Sequence, residues 1–180
     1  MTDTQWPRFM VFQQAGQSEP VLHNGSVHAS DIEMAMLNAR DVFVRRPEAS
    51  ELWVVPVDQI YSRTREELAL SKNEKIIDQS INRLIDFYVF GKLSEPSQAE
   101  LLGEVNASSA EAAMKAAVEK FSDRDVLRWW VFPVSSAVKS LAKDANSMFG
   151  TARDRKFTDQ AEYPVVTLMR QLRSKGRLEE

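Results

Sequence analysis

The sequence predicts an α+β fold in which two tandem, ferredoxin-like ββαβ units pair as an intramolecular pseudo-dimer, with a helical connector and a C-terminal tail. Three observations predict this fold. Residues 9–57 recur in diverged form at residues 87–134, each copy alternates between strand-like and helix-like patterns, and 43% of the 180 residues are apolar, as in ordinary globular proteins. The predicted boundaries are 1–62 for the first unit, 63–85 for the connector, 86–141 for the second unit and 142–180 for the tail.

The repeat consists of blocks that match in order along the chain. Similar secondary structure alone would select matching Val and Ala residues, but it would not select matching Gly, Trp and Pro residues at the same spacing. We therefore interpret the chain as two copies of one unit. The matched blocks are Phe9–Phe12 with Phe87–Phe90, Gly25 with Gly103, Phe43 with Phe121, and Trp53–Val57 with Trp130–Val134.

Each copy begins with two strands and ends with a third, because aromatic and β-branched residues dominate these stretches. The glycine ahead of each second strand marks a bulge or a close approach of backbones. The third strands are apolar on both faces and should be central in a sheet. The predicted strands are Arg8–Gln14, Ser26–His28 and Leu52–Val57 in the first copy, and Asp86–Lys92, Glu104–Asn106 and Trp129–Val134 in the second.

One helix separates the second and third strands of each copy. Ser30 stands three residues before Glu33, and Ser108 stands three before Glu111, which is the capping-box pattern. Apolar residues follow each cap at helical spacing, and many are Ala, so each helix can pack closely on its sheet. One unit would leave the other sheet face bare, and two units can cover that face mutually or pair their sheet edges.

The connector and the tail are predicted to contain helical segments. Ser62–Leu84 has the spacing of a helix broken near Ser71–Asn73, so it is a structured connector rather than a flexible linker. The tail carries an apolar cluster at Tyr163–Leu172 and a basic end, and Val165–Leu172 is predicted to be helical.

Composition excludes several classes of protein. A net charge of −3 and a pI near 5.6 do not fit a nucleic-acid-binding surface. The chain has no cysteine, and therefore no disulfide framework and no thiolate metal site. We find neither a signal-peptide pattern nor a run of about 18 apolar residues, so we expect a cytoplasmic protein that does not enter the membrane.

The chain offers few groups for chemistry. Its two histidines are His23 and His28, and neither stands in a Glu-x-x-His or His-Glu-x-x-His pattern. Phosphate loops, glycine-rich dinucleotide motifs and nucleophile elbows are also absent from the sequence. We therefore predict no catalytic residue, no bound cofactor and no metal ligand in this chain, although general acid–base catalysis needs only one positioned group.

Polar residues distinguish the first copy from the second. His28 corresponds to Asn106 and Arg40 to Val118, and the pair Arg45-Arg46 is not repeated as a pair. These residues are either local ion pairs and solvated side chains, which contribute little, or contacts with a partner. Trp and Arg are enriched among interface anchors, and Trp129 and Trp130 must point to opposite faces of a strand. The predicted partner interface comprises Trp6, His28, Arg40, Asp41, Arg45, Arg46 and Trp129.

Four blocks in the first 65 residues resemble a known family. They are Trp6–Phe12, Gly25–Asp31, Ala35–Asp41 followed by Arg45-Arg46, and Leu52–Val55. Together they resemble the B subunit of the phenylacetyl-CoA epoxidase, a multicomponent oxygenase of aerobic phenylacetate catabolism. The resemblance implies a small assembly subunit without a metal. Its implied partners are a catalytic di-iron A subunit and a C subunit, whose pairs it bridges, and a separate reductase delivers electrons.

The chain departs from that family because members are about one unit long and this chain is doubled. If single units self-associate to bridge two catalytic pairs, one doubled chain can supply the same pairing, since a covalent link gives an effective concentration in about the mM range. The diverged second unit could instead bind one partner or none.

Two other functions remain open from the residues alone. A small enzyme of the dimeric α+β barrel kind, such as a cofactor-free monooxygenase or isomerase, would enclose a cleft lined by His28, Trp53 and Arg40. A pocket of roughly several hundred Å³ between the sheets favours it, and a filled core counts against it. A regulatory ligand-binding module would instead show thermal stabilisation by a metabolite.

Overall fold

A computed structural model describes residues 6–44, 49–71 and 84–154, together with Met169 and Gln171. This part of the chain forms an α+β structure, as predicted, and its strands form one antiparallel sheet. Its elements in chain order are β1 Arg8–Gln14, β2 Val21–His28, α1 Ile32–Phe43, β3 Glu51–Pro56, β4 Tyr61–Thr64, α2 Arg65–Ser71, β5 Ile85–Lys92, β6 Glu100–Ala107, α3 Ala110–Lys120, β7 Arg128–Pro133, β8 Val138–Lys139 and α4 Ala145–Asp154.

The two halves of the chain have the same element order and the same pairing. Strand β1 lies between β2 and β3 and is antiparallel to both, and β5 lies in the same way between β6 and β7. The register shifts between Val11 and Phe12 in the first half and between Val89 and Phe90 in the second. Each second strand is longer than the sequence predicted.

The N-cap residues of α1 and α3 are Asp31 and Ser109, each one residue after the predicted caps Ser30 and Ser108. The Asp31 carboxylate accepts a hydrogen bond from Met34 N at 2.8 Å, and Ser109 Oγ accepts one from Ala112 N at 3.1 Å. Ser30, the predicted cap, donates to the Asp31 carboxylate instead. The prediction was wrong by one residue because neighbouring Ser and Asp side chains can both cap a helix. The hydrogen bond from Met34 N, reinforced by Ser30, lowers the pKa of Asp31.

The sheet connects the halves by exchanging short strands. Strand β4 follows the first half in the chain but pairs with β7, and β8 follows the second half but pairs with β3. The strand order is β4-β7-β5-β6-β2-β1-β3-β8, with β2 and β6 meeting at Leu22 and Glu100. The sequence did not predict β4 and β8, because they have only four and two residues.

Each exchanged strand leads into a helix that packs on the other half. After β4, Leu68 of α2 packs against the core of the second half. After β8, Phe149 of α4 is buried in the core of the first half. Lys139 of β8 fixes this crossing, because its Nζ donates to Tyr88 Oη at 2.8 Å and lies 3.9 Å from the ring centroid of Trp53. The predicted connector therefore contributes to the core of the second half, and the predicted tail contributes to the core of the first.

Parts of the predicted connector and tail lie outside the described residues. Helix α2 is described as far as Ser71, and the predicted helix break near Ser71–Asn73 lies at the edge of residues 72–83, which are outside the described ones. Of the predicted helix Val165–Leu172, the described residues are Met169 and Gln171, and both are helical.

Side-chain alternation along the strands produces three apolar cores. One lies between α1 and the first half-sheet, and one lies between α3 and the second. The third lies between the inner faces of the two half-sheets, where the ring centroids of Phe12 and Phe90 are 4.4 Å apart. The inner core consists of Phe12, Val21, Trp53, Val55, Tyr88, Phe90, Ala99, Trp130 and Phe132.

Replacing Gly25 should destabilise the first half. Its φ is +148°, and an added Cβ would lie 2.9 Å from Cζ of Phe43. We expect Gly25→Ala to lower the free energy of unfolding by roughly 1–3 kcal/mol, measured by urea denaturation. Gly150→Ala is the matched control, because a Cβ at this helical position meets nothing within 4 Å. It should stabilise the protein by about 0.5–1 kcal/mol, and an equal loss in both variants would contradict the proposed cause.

Replacing a core-facing side chain of α2 or α4 by Ala should lower the local stability of the half on which that helix packs. Phe149→Ala removes a buried ring from the first core and should cost roughly 3 kcal/mol. Hydrogen exchange should then rise in α1 and β3, whereas Leu68→Ala should raise it in α3 and β7. If each substitution instead affected the half to which its residue belongs in sequence, the exchange of strands and helices would be disproved.

Candidate partner interface

Trp6 and His28 lie together at the start of β1 and the end of β2. His28 Nδ1 donates to the carbonyl oxygen of Trp6 at 3.1 Å. The Trp6 side chain is 51% exposed. From α1, Asn38 Nδ2 donates to the carbonyl oxygen of His28 at 3.1 Å. These two hydrogen bonds connect the backbone at Trp6 and His28 to Asn38 of α1.

Arg40 and Asp41 form an ion pair near the end of α1. Arg40 Nε and Nη2 both lie 3.0 Å from Asp41 Oδ1. Both side chains are accessible to solvent, so the pair contributes little to stability. The second half has Val118 and Glu119 at these positions and cannot form the same pair.

Of the other three predicted interface residues, the structure describes Trp129. Arg45 and Arg46 lie outside the described residues. Trp129 is 4% exposed and belongs to the core between α3 and its half-sheet, so its side chain is not available to a partner. Trp130 points to the opposite face, as the alternation predicted, and it packs with Phe12 of the other half.

His23 is a site residue that sequence reasoning did not single out. Its ring contacts Phe12 and Trp130, with centroid distances of 5.4 and 4.7 Å, and its Nε2 lies 3.2 Å from Met10 Sδ. Burial lowers the pKa of His23, and the charge on Lys92 lowers it further, although a backbone hydrogen bond at Gly25 acts in the opposite direction. The available signal in the sequence was the comparison of the two halves, since Leu101 occupies the position of His23 in the second half.

Two grooves open on the surface of the described residues. One of about 530 Å³ lies at one end of the inner core, with Trp130 and His23 in its wall and Lys92, Glu95, Glu66 and Arg128 around it. The other, of about 610 Å³, lies beside α3 and includes Asp86, Glu104, Asn106, Ala116, Glu119 and Lys120. Neither groove is lined by His28, Trp53 and Arg40, the residues predicted for a barrel-type active site. The space between the half-sheets is filled by aromatic rings.

Metal-binding clusters and membrane-spanning helices are both absent from the described part of the chain. Within residues 6–44, 49–71 and 84–154, no group of three or more His, Asp or Glu side chains is arranged to hold a metal ion. In the same ranges, no helix has both the length and the apolar character that crossing a membrane requires.

The first half of the chain is similar to known proteins of one family. Residues 5–81 match the family model described as Phenylacetic acid degradation B. Over 67 residues the chain is 40% identical to the B subunit of the 1,2-phenylacetyl-CoA epoxidase of Escherichia coli (strain K12). That alignment covers 37% of this chain and 70% of the relative. No solved structure matches the chain.

The half-buried His23 should make stability depend on pH. Because its pKa in the folded protein is lowered from 6.5, the unfolded chain binds a proton more readily below that pH. Stability should therefore be complete above about pH 6.5 and fall as the pH decreases through the folded-state pKa. In urea titrations between pH 8 and pH 5, His23→Leu, which copies Leu101 of the second half, should flatten this dependence. An unchanged slope in the variant would assign the effect to other groups.

Proposed function

Because the chain belongs to the Phenylacetic acid degradation B family, we propose that it is a non-catalytic assembly subunit of a cytoplasmic, multicomponent di-iron phenylacetyl-CoA epoxidase. Its partners in this proposal are the catalytic A subunit, which holds the iron, and the C subunit. The chain would hold these subunits in one complex for phenylacetate degradation. The observation that carries the proposal is the 40% identity to the B subunit of an epoxidase over 70% of that relative's length.

We further propose that the two halves are tandem copies of one ferredoxin-like unit that pair as a pseudo-dimer. They share the order of their strands and the position of the register shift. In both helices, the side chain of the N-cap residue accepts a hydrogen bond from the backbone amide three residues later. The relative is about 96 residues long, since 67 residues are 70% of it, so it has room for about one unit. In such a relative, two chains could exchange the strands that this chain exchanges within itself.

The surface around Trp6 and α1 is the part of the chain that we propose contacts the A and C subunits. It lies within the region that matches the family. It contains the exposed Trp6, His28 and the Arg40–Asp41 pair, whose charges are accessible to a partner. Arg45 and Arg46 follow α1 directly in sequence and are included in the proposed contact.

The filled inner core supports an assembly role over a barrel-type enzyme. A substrate cleft between the half-sheets would need space, but Phe12, Phe90 and Phe132 occupy that space with ring centroids 4.4 to 5.6 Å apart. Ligand pockets of proteins usually enclose about 300–1,000 Å³ within concave, mostly apolar walls. The groove beside His23 lies instead at the end of the core and is lined largely by polar and charged side chains.

Co-expression with the A and C subunits tests the proposal. We expect the chain to purify in a complex with both subunits, and iron measured by mass spectrometry to follow the A subunit. The purified chain alone should have no epoxidase activity, and preparations of A and C alone should assemble or turn over less well than the complete set. Stoichiometric iron on this chain alone, or epoxidation by it alone, would contradict a non-catalytic role.

A further inference from the structure

One end of the inner core holds a cation that the chain itself supplies. Trp53 of β3 pairs in register with Lys139 of β8, and the Lys139 ammonium lies 3.9 Å from the centroid of the indole ring. The same ammonium donates to Tyr88 Oη at 2.8 Å. An ammonium over the face of an indole is a favourable cation–π contact. The position between Trp53 and Tyr88 is therefore suited to a positive charge.

The other end of the inner core has the same indole without the lysine. Trp130 of β7 is the counterpart of Trp53, and its register partner on β4 is Ser62. Ser62 thus takes the place that Lys139 has on β8. A serine side chain has no charge, so β4 does not supply the cation that β8 supplies.

Two further substitutions place metal-ligand atoms at this second end. Met10 takes the place of Tyr88, and His23 takes the place of Leu101. Nε2 of His23 lies 3.2 Å from Sδ of Met10, and the His23 ring centroid is 4.7 Å from that of Trp130. An imidazole and a thioether therefore meet beside the indole.

The hydrogen bonding of His23 directs a lone pair at the sulfur. Burial lowers the pKa of His23, and a backbone hydrogen bond at Gly25 opposes that shift, which means that the Gly25 carbonyl accepts from the ring. Nε2 is the nitrogen beside Met10, so Nδ1 is the donor to Gly25. A neutral imidazole has one N–H, and a carbonyl is a stronger acceptor than a thioether. Nε2 and Sδ therefore face each other with lone pairs, and neither donates to the other.

A thioether and a neutral imidazole that face each other can share a soft metal ion. Thioether ligands select Cu(I), and imidazole also binds copper. Metal bonds to imidazole nitrogen and to sulfur are about 2.0–2.3 Å long, so one ion can bond to both atoms across the 3.2 Å that separates them. The bond from Nδ1 to a backbone carbonyl is the outer-shell contact that orients a ligating histidine. The rings of Phe12 and Trp130 border His23, and such apolar surroundings favour the singly charged Cu(I) over a doubly charged ion.

The groove of about 530 Å³ gives an ion a path to these two atoms, because the His23 ring is in its wall. The charge on Lys92 acts against a cation at His23, but Lys92 forms an ion pair with Glu95, which reduces the repulsion. The other two charged residues of the groove, Glu66 and Arg128, have opposite signs. The charges around the groove therefore do not prevent a single positive charge from entering.

We propose that Met10 Sδ and His23 Nε2 form a Cu(I) site at one end of the inner core, beside the indole of Trp130. The site belongs to the first half, because Tyr88 and Leu101 replace both ligands in the second. The bound ion takes the part that the Lys139 ammonium has at the other end. This inference goes beyond the proposed assembly function and does not depend on it. It replaces the sequence-based prediction of no metal ligand, which considered histidine together with carboxylates rather than with methionine.

Titration of the full chain with Cu(I) tests the site. Without oxygen, with ascorbate present and against a chromogenic Cu(I) chelator, wild type should bind one ion per chain. His23→Leu copies Leu101, and Met10→Leu nearly keeps the side-chain volume. Each should weaken binding by at least about tenfold, the loss that even an outer-shell substitution causes at a metal site.

The matched controls are His28→Asn and Met34→Leu. They remove the other histidine of the chain and a methionine that is 41% exposed, and neither should change the affinity. Thermal unfolding of each free variant confirms that it is folded. Nuclear magnetic resonance adds a second readout, in which Cu(I) should shift the ring signals of His23 and the methyl signal of Met10. The corresponding signals of His28 and Met34 should stay in place.

One ion per chain that is weakened in both site variants and in neither control supports the site. If wild type binds no Cu(I) in competition with the chelator, the site is disproved. If Met10→Leu and His23→Leu bind as tightly as wild type, the ion is an adventitious ion only, and the site is disproved as well. Neither result affects the proposed assembly with the A and C subunits, which is measured without copper.

Discussion

The structure depends on the burial of two apolar inner sheet faces against each other. Neither half can be stable alone in this form, because each half-sheet is covered by a helix on one side only. Phe12, Phe90, Trp53 and Trp130 would otherwise face water. Burial of such rings stabilises a fold by roughly 1.5–3 kcal/mol each. The exchange of β4 and β8 strengthens the same contact, since each half completes its sheet with a strand from the other.

This packing also explains why the two halves match mainly at core positions. Each of the two helices buries one Ala-Met pair and a second Ala in a core, and β1, β3, β5 and β7 also supply core residues. These positions tolerate little change in side-chain volume. Gly25 with Phe43 and Gly103 with Phe121 match as pairs because each ring lies against a backbone that a Cβ would displace. The outer helix faces meet solvent or a partner, and there the halves are free to differ.

The surfaces of the two halves therefore differ more than their cores do. Strand β8 and helix α4, which follow the second half in the chain, complete the first half. The first half has the polar set that the second half lacks. In the proposed function, a doubled chain would keep the pairing of two units while its first half supplies the surface for assembly. For a single-unit relative, the same pairing would depend on protein concentration.

The sequence by itself determined the local structure of this protein. Aromatic and β-branched stretches located the six main strands, helical spacing located α1 and α3, and the matched blocks indicated that both halves have the same element order. Alternation also required Trp129 and Trp130 to face opposite ways. These features were predictable because they depend on neighbouring residues. The cap positions at Asp31 and Ser109 were missed by one residue, since adjacent side chains competed for the same backbone amides.

Only the tertiary structure decided which residues meet across the halves. Strands β4 and β8 have four and two residues, and their partners lie far along the chain, so no local pattern marks them. Which tryptophan entered the inner core, and which histidine came to lie against that core, followed from sheet register rather than from residue type. For the candidate site, the sequence identified Trp6, His28, Arg40 and Asp41, but not the exposed side of α1. A period of 3.6 residues predicts a helix without specifying which apolar residues will remain uncovered.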